Sequence, residues 1–203
     1  LGLDVDLQAT EKAKALLGRT RHVAKHIPAM AWADVPEFYA SLGEPALTHL
    51  ALRLLMLNPG VRSKPLRHLR LEQIEDEVWT VPEGDMKGQK GRAPAYRVPL
   101  CKEAQRIIEL ARPHARNGYL FANTRGGVIS DMTLSRLMER RGLEARPHGF
   151  RTSLRTWLAE ITDAPHEVAE AMLSHATDSR VVRAYRRTDF LEQRLALTER
   201  WAD

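Results

Sequence analysis

The spacing of apolar residues along the chain predicts a mainly helical protein. Apolar positions recur every three or four residues in four segments, which are residues 7–18, 34–42, 44–58 and 101–113. The segment 44–58 is strongly apolar, with Leu50, Leu54 and Leu57 at helical spacing, and is expected to form a core helix. The Asn-Pro-Gly turn that follows should end this helix, and another helix should begin after it. Beyond residue 113 the chain is expected to be helical to its end, apart from the segment 118–123 and several turns.

Two short segments change from the helical period to strict alternation. Residues 77–82 and 95–100 alternate apolar and polar side chains, with Tyr96, Val98 and Leu100 on one face. The link between them, residues 83–93, is rich in glycine and basic residues. The predicted fold class is therefore α+β, mainly helical, with a small antiparallel sheet near the N-terminal side.

Composition narrows the possible partners and the compartment. The 203 residues include 43% hydrophobic and 28% charged residues, which suits one globular domain with an appended arm. The net charge of +5 favours a polyanionic partner. Cys101 is the single cysteine, so no internal disulfide forms and a reducing compartment is expected. No apolar run approaches the roughly 20 residues that span a bilayer, so no membrane partner is expected.

Six residues with chemically active side chains occur as an ordered series: Arg62, Lys87, His148, Arg151, His175 and Tyr185. Two guanidiniums grip the oxygens of a phosphodiester and stabilise the charge that develops in the transition state. Arg62 and Arg151 suit this role, and with two fixed cations a divalent metal is unnecessary. His148 and Arg151 are three residues apart, so on one helix they would address the same phosphate. Helical spacing places them with Arg155 at the edge of the polar face of that helix. The opposite, apolar face comprises Phe150, Leu154, Trp157, Leu158 and Ile161.

The other members of the series would move protons or attack. Tyr185 has a phenol whose pKa is normally near 10, so it needs a base or cationic neighbours. Arg183, Arg186 and Arg187 either supply that potential or bind flanking phosphates. Lys87 on the hairpin would protonate a leaving oxygen, with Lys90 as a rival for this role. His148 and His175 would hydrogen-bond the phosphate or relay a proton. A further basic set is expected to bind phosphates of the same polyanionic partner: Lys90, Arg92, Arg155, Arg186 and Arg187.

The order of these residues resembles the catalytic domain of the tyrosine recombinases, the phage-type integrases. The resemblance runs from about residue 27 to the end, and the C-terminal part is similar to P4-like integrases of genomic islands. It implies that Tyr185 attacks DNA and holds it as a 3′-phosphotyrosine, without a cofactor or metal, during integration or excision of a mobile element such as a prophage. It also implies double-stranded attachment sites, a multimer on DNA, accessory DNA-bending factors and a place at the nucleoid in the bacterial cytoplasm.

Two departures from the family pattern keep other functions open. The family usually has an acidic residue three positions after the first arginine, where this chain has Pro65; its "LGH" is "LSH" here. The alternatives are a non-catalytic DNA-binding relative and a type IB topoisomerase-like enzyme that relaxes DNA. The match of residues 184–194 to integrases disfavours the topoisomerase.

The two ends of the chain carry separate expectations. Residues 1–26 are expected to be a linker and the tail of a missing core-binding domain, and residues 27–203 the catalytic domain. Asp189 and Glu192 resemble a capping box at the start of the last helix. Its apolar strip, which comprises Phe190, Leu197 and Trp201, packs either on its own core or on a neighbouring protomer.

Overall fold

The structure is a computed structural model that describes residues 7–17, 26–43, 45–86, 95–174 and 188–203. The described helices, in chain order, are α1 Leu7–Leu17, α2 Val35–Ser41, α3 Leu47–Leu57, α4 Ser63–Arg67, α5 Lys102–Ala111, α6 Thr133–Arg140, α7 Phe150–Ile161, α8 His166–Met172 and α9 Leu191–Ala202. The strands are β1 Ile74–Glu75, β2 Val78–Val81 and β3 Tyr96–Pro99. The predicted α+β class, mainly helical with a small antiparallel sheet, is confirmed. None of the helices in these ranges has the length and apolar content that crossing a bilayer requires.

Helix α3 is the centre of the main core, as its sequence predicts. Every residue from Leu50 to Leu57 is buried, and the helix packs against α5, α6 and α4. A helix that is apolar on all sides is stable only when other elements surround it. The turn at 58–60 ends α3, and this fixes where the following residues emerge from the core.

The sheet is antiparallel in the order β1–β2–β3. In the register of β2 and β3, Trp79 faces Val98 and Val81 faces Tyr96. Trp79 and Val98 are buried, and the Trp79 indole donates to Gln73 Oε1 at 3.1 Å. The two predicted strands are present, and the short strand β1 is an addition that the sequence analysis missed. It is too short to show an alternating pattern.

Helices α7, α8 and α9 build a second apolar cluster from Leu154, Trp157, Leu158, Val168 and Leu197, among others. The expectation that the chain is helical beyond residue 113, apart from the segment 118–123 and several turns, is only partly met within the described residues. Residues 115–132 consist of turns, extended segments and isolated β-bridges. Several backbone hydrogen bonds in this segment join residues that are close in the chain, such as Arg116 and Tyr119.

Helix α9 packs on its own domain. It contacts β3, α8 and α3, and the indole of Trp201 donates to Met56 O at 2.8 Å. Leu197 is buried, and Phe190 and Trp201 are partly buried against the second cluster. The predicted capping box is wrong, because the helix begins at Leu191 and its N-cap is Phe190 in the left-handed region, at φ 57°. Asp189 therefore lies before the cap, and its carboxylate is 3.4 Å from Arg97 Nη1.

A polar network ties α2, α3 and α5 together. Glu103 accepts hydrogen bonds from the Tyr39 hydroxyl at 2.6 Å, from Arg53 Nη2 at 2.8 Å and from Arg106 Nε at 2.6 Å. The hydrogen bonds from Arg106, assisted by Tyr39 and Arg53, lower the pKa of Glu103 from 4.5 to about 2. The network therefore depends on an ionised carboxylate.

Helix α1 is the exception to this packing. Its described side chains are exposed, with Leu16 at 88% of its full accessibility. From residue 26 onward the chain is described again, and Pro28 O accepts a hydrogen bond from Arg146 N at 3.1 Å. Residues 28–30 therefore pack against the segment that leads into α7.

Candidate active site

Arg62 stands at the turn between α3 and α4. The turn is closed by a hydrogen bond from Val61 N to Asn58 O at 2.9 Å, and Asn58 N continues the bonding of α3 to Leu54 O. Arg62 is the N-cap residue of α4, and its backbone is extended rather than helical. Its side chain is half-buried, and burial lowers the pKa of its guanidinium.

Arg151, in the first turn of α7, is buried with only 7% of its surface exposed. Its Nη1 donates to Pro59 O at 3.2 Å and to Gly60 O, and its Nη2 donates to Leu173 O. These three carbonyls come from the turn before Arg62 and from the end of α8. Arg151 thus joins two segments that are more than 100 residues apart in the chain.

The two arginines influence each other electrostatically. Burial is the main reason that the pKa of Arg151 falls to about 10, and the positive charge of Arg62 is the next reason. Both groups remain protonated at neutral pH, because arginine is effectively always protonated in proteins and the pKa of Arg151, about 10, is still well above 7. Two partly desolvated cations near one another are held at a cost in free energy, which an anion bound between them would offset. This arrangement agrees with the predicted pairing of Arg62 and Arg151.

Gly60 allows the turn and the end of α8 to touch. A Cβ atom at this position would lie 1.7 Å from Met172 O and 3.3 Å from the Tyr96 hydroxyl. The Ser174 hydroxyl donates to Gly60 O at 3.2 Å. The sequence analysis used this glycine only as a helix stop, and the close approach was invisible because its partner lies on a distant segment.

Tyr96, at the start of β3, is a second residue whose position the sequence analysis missed. It was assigned only to an apolar strand face. Its hydroxyl donates to Ala171 O at 3.0 Å and to Met172 O at 2.9 Å. An electrostatic interaction with Tyr96 also partly offsets the lowering of the pKa of Arg62 and Arg151 by burial. No local sequence signal distinguishes such a tyrosine from one that only packs.

His148 is not on the same helix as Arg151, which corrects the predicted arrangement. It lies in the 3₁₀ turn Pro147–Gly149 before α7 and is exposed. Residues 28–30 pack closely against this turn, since a Cβ atom at Gly149 would lie only 2.4 Å from Pro28 O. Pro147 is the first residue of this 3₁₀ turn, and α7 begins only at Phe150, so His148 precedes the helix on which it was predicted.

Helix α7 shows two further differences from the prediction. Phe150, Leu154, Trp157 and Leu158 form the buried face, but Ile161 is 47% exposed at the end of the helix. Arg155, a candidate DNA contact, forms an ion pair with the buried carboxylate of Glu170, with Nε 3.1 Å from Oε1. The prediction that Arg151 lies at the solvent edge beside Arg155 is wrong, because Arg151 is drawn inward by the backbone carbonyls.

The position of the missing acidic residue is occupied by Pro65, the third residue of α4. A proline is tolerated there because the first turn of a helix needs no internal donor. The preceding Lys64 reaches the base of the β2–β3 link, with Nζ 2.9 Å from Gly84 O and 3.3 Å from Asp85 Oδ1. His68 Nδ1 is 4.0 Å from the same oxygen. Helix α4 is thus attached to the segment that leads toward Lys87.

The remaining predicted site residues lie outside the residues that the structure describes. They are Lys87, Lys90, Arg92, His175, Tyr185, Arg186 and Arg187. Three of them adjoin described residues: Lys87 follows Met86, His175 follows Ser174, and Arg187 precedes Thr188. The structure therefore places the charge of Arg62 within reach of Arg151, and the roles of these two arginines, like those of the other site residues, stay predictions.

Residues 30–192 match the phage integrase family, and the chain belongs to this family. It is 32% identical over 130 residues to the prophage integrase IntA of Escherichia coli (strain K12), a match that covers 62% of this chain and 30% of that protein. The chain thus spans less than a third of the length of this curated relative.

Solved structures show the same fold. The integrase of mycobacterium phage Brujita aligns with a TM-score of 0.64 at 21% identity, over 92% of this chain and 62% of that one. A lambda integrase tetramer bound to a Holliday junction aligns with a TM-score of 0.61 at 18% identity, over 85% and 56%. At these identities the likeness concerns the fold of the domain.

Proposed function

We propose that the chain is the catalytic part of a site-specific DNA recombinase, which cuts and rejoins strands through a covalent 3′-phosphotyrosine. The observation that supports this most is the pair of cations at one place: Arg151 is buried against the Gly60 turn, where the charge of Arg62 reaches it. Two guanidiniums of this kind suit an anion with two non-bridging oxygens, such as a phosphodiester. Because the chain belongs to the phage integrase family, we take this anion to be a phosphodiester of DNA and the reaction to be the cutting and rejoining of strands.

In the proposed reaction the Tyr185 oxygen attacks the scissile phosphorus and forms a new P–O bond. The bond from phosphorus to the 5′ oxygen breaks, and Lys87 gives that oxygen a proton to leave a 5′-hydroxyl. His148 and His175 hydrogen-bond the phosphate or take the phenol proton. Arg62 and Arg151 stabilise the charge on the non-bridging oxygens.

The second step reverses the first with a different strand. A 5′-hydroxyl attacks the phosphotyrosine, the P–O bond to Tyr185 breaks and the phenol regains a proton. One phosphodiester is restored for each one cut, so the bond energy is conserved and the reaction needs no nucleoside triphosphate. The proposed mechanism uses no metal, because the two guanidiniums supply the positive charge.

The wider assembly follows from the same proposal. Residues 1–26 would link residues 27–203, the catalytic domain, to a core-binding domain, and the exposed side chains of α1 suit a segment that meets another domain. The protein would form a multimer on attachment sites, with accessory DNA-bending factors, at the nucleoid of a bacterial cytoplasm. Within the family, it would be similar to P4-like integrases. Flanking phosphates would be bound by the basic set Lys90, Arg92, Arg155, Arg186 and Arg187.

A nicked suicide substrate tests the proposal. Duplexes from the junctions of the mobile element, with a nick close to the cut position, would release a short strand and trap the protein as a covalent adduct. Peptide mapping should find the DNA on Tyr185, and Tyr185→Phe should form no adduct while binding the duplex normally. Tyr119→Phe, which removes a hydroxyl far from the proposed nucleophile in sequence, should react like the parent. An adduct on another residue, or DNA binding by the parent without any adduct, would overturn the proposal.

A further inference from the structure

The hydroxyl of Tyr96 acts as a cap for the end of α8. The last carbonyls of a helix lack partners within the helix and need donors from elsewhere. Two carbonyls at the end of α8, Ala171 O and Met172 O, accept from the Tyr96 hydroxyl at 3.0 and 2.9 Å, and Ala171 O also accepts from Ser174 N at 3.1 Å. The neighbouring carbonyl, Leu173 O, accepts from Arg151. One tyrosine and one active-site arginine therefore hold the same helix end.

Helix α9 also contacts the ring of Tyr96, through Arg194. The guanidinium of Arg194 lies over the ring, with its carbon 4.6 Å from the ring centroid. Arg194 is 2% exposed and donates to Asp189 O at 3.1 Å and to Arg97 O. Because its backbone belongs to β3, Tyr96 connects three elements: the sheet, the end of α8 and the start of α9.

The same end of α8 packs against Arg151 and the Gly60 turn, next to Arg62. The turn at Gly60 presses against Met172 O so closely that no side chain fits between them. Arg151 bonds to both sides of this contact, through Gly60 O and Leu173 O. A displacement of the end of α8 would therefore move the guanidinium of Arg151 relative to Arg62.

We propose that Tyr96 is a positioning residue for the recombinase reaction. Its hydroxyl holds the end of α8 against the Gly60 turn, and this sets the spacing of Arg151 and Arg62 around one phosphate. The inference rests on the proposed function for its catalytic consequence. The capping of α8 itself is independent of that function.

The substitution Tyr96→Phe removes the hydroxyl and keeps the ring for Arg194. We expect adduct formation on the nicked substrate to slow about tenfold or more, since small misplacements of catalytic groups have effects of this size. DNA binding should change little. Tyr119→Phe is the matched control, because Tyr119 also lies under an arginine, with Arg70 4.8 Å from its ring centroid, and is not bonded to α8.

A neutral methylphosphonate at the scissile position separates positioning from general damage. This substrate lacks one anionic oxygen, so it depends less on the spacing of the two arginines. If Tyr96 acts through them, the ratio of parent to Tyr96→Phe rates should be smaller on the methylphosphonate than on the phosphodiester. Equal ratios on both substrates, or equal rates for Tyr96→Phe and the parent, would overturn the proposal.

Amide hydrogen exchange tests the capping without any catalysis. In Tyr96→Phe the amides of residues 169–174 should exchange faster, while those of α6 should keep their parental rates. If the parent forms no adduct, the proposed function fails, and the exchange experiment still judges Tyr96. Unchanged exchange at the end of α8 would refute the positioning role whatever the activity.

Discussion

Removal of the last helix should destabilise the isolated domain strongly, because α9 packs on its own core. Truncation after Thr188 removes the buried Leu197 and the half-buried Phe190 and Trp201. A fully buried large apolar side chain contributes about 1.5–3 kcal/mol. With the two aromatic residues counted at half that value, the loss is about 3–6 kcal/mol. A typical domain is stable by only about 5–15 kcal/mol.

Thermal unfolding followed by circular dichroism measures this effect without DNA. For a domain of this size, 1 kcal/mol shifts Tm by about 2–4 °C, so truncation should lower Tm by about 6–24 °C. Leu197→Ala alone should cost about 2–4 kcal/mol through the lost contacts and the cavity. Two controls are available at the other end of the chain: deletion of residues 1–17 and Leu16→Ala, in which those of the removed side chains that the structure describes are exposed.

The contrary result has a definite structural meaning. A protein truncated after Thr188 that melts at the same temperature as the parent would show that α9 contributes nothing to the isolated domain. The strip of Phe190, Leu197 and Trp201 would then be available to a neighbouring protomer. If truncation does destabilise the domain, any exchange of the tail on DNA must first break the contacts with β3, α8 and α3.

Three substitutions test the site and the network around it. Arg151→Lys should slow DNA cleavage about 10²-fold or more, because one ammonium cannot bond both the Gly60 turn and the end of α8 while holding phosphate. Gly60→Ala should lower Tm by several degrees and slow cleavage at least tenfold, because the new methyl group meets Met172 O. Glu103→Gln should lower the free energy of unfolding at pH 7, as measured by urea titration. Because folding depresses the pKa of Glu103 from 4.5 to about 2, this difference should shrink as pH falls through that range.

Matched variants distinguish these effects from general damage. Arg140→Lys changes an exposed arginine of α6, Gly84→Ala adds a methyl group with no atom within 4 Å, and Glu109→Gln alters an exposed ion pair with Arg112. Each should behave nearly like the parent. Normal cleavage by Arg151→Lys would make that arginine structural only, and an unchanged Tm in Gly60→Ala would contradict the close contact with α8. If Glu103→Gln lowers stability equally at pH 2 and pH 7, the contribution of the network does not depend on the charge of Glu103.

Local pattern was sufficient for most of the secondary structure. The apolar spacing of residues 44–58 predicted α3, and the alternation in residues 77–82 and 95–100 predicted β2 and β3 with their antiparallel pairing. These predictions succeed because the helical and strand periods are properties of neighbouring residues. Helix ends were less predictable: the 3₁₀ turn at Pro147 delays α7, and Phe190 displaces the expected cap of α9. Both depend on backbone geometry that side-chain pattern does not encode.

The sequence by itself determined the class of protein, since the order of Arg62, Lys87, His148, Arg151, His175 and Tyr185 carries the resemblance that family membership confirms. Only the tertiary structure decided what surrounds the arginines. Arg151 bonds carbonyls of residues 59, 60 and 173, and Tyr96 bonds those of residues 171 and 172. A backbone carbonyl is the same group in every residue, so no sequence pattern marks the ones that a distant side chain will reach. Those partners exist only once packing brings α8, the Gly60 turn and β3 together.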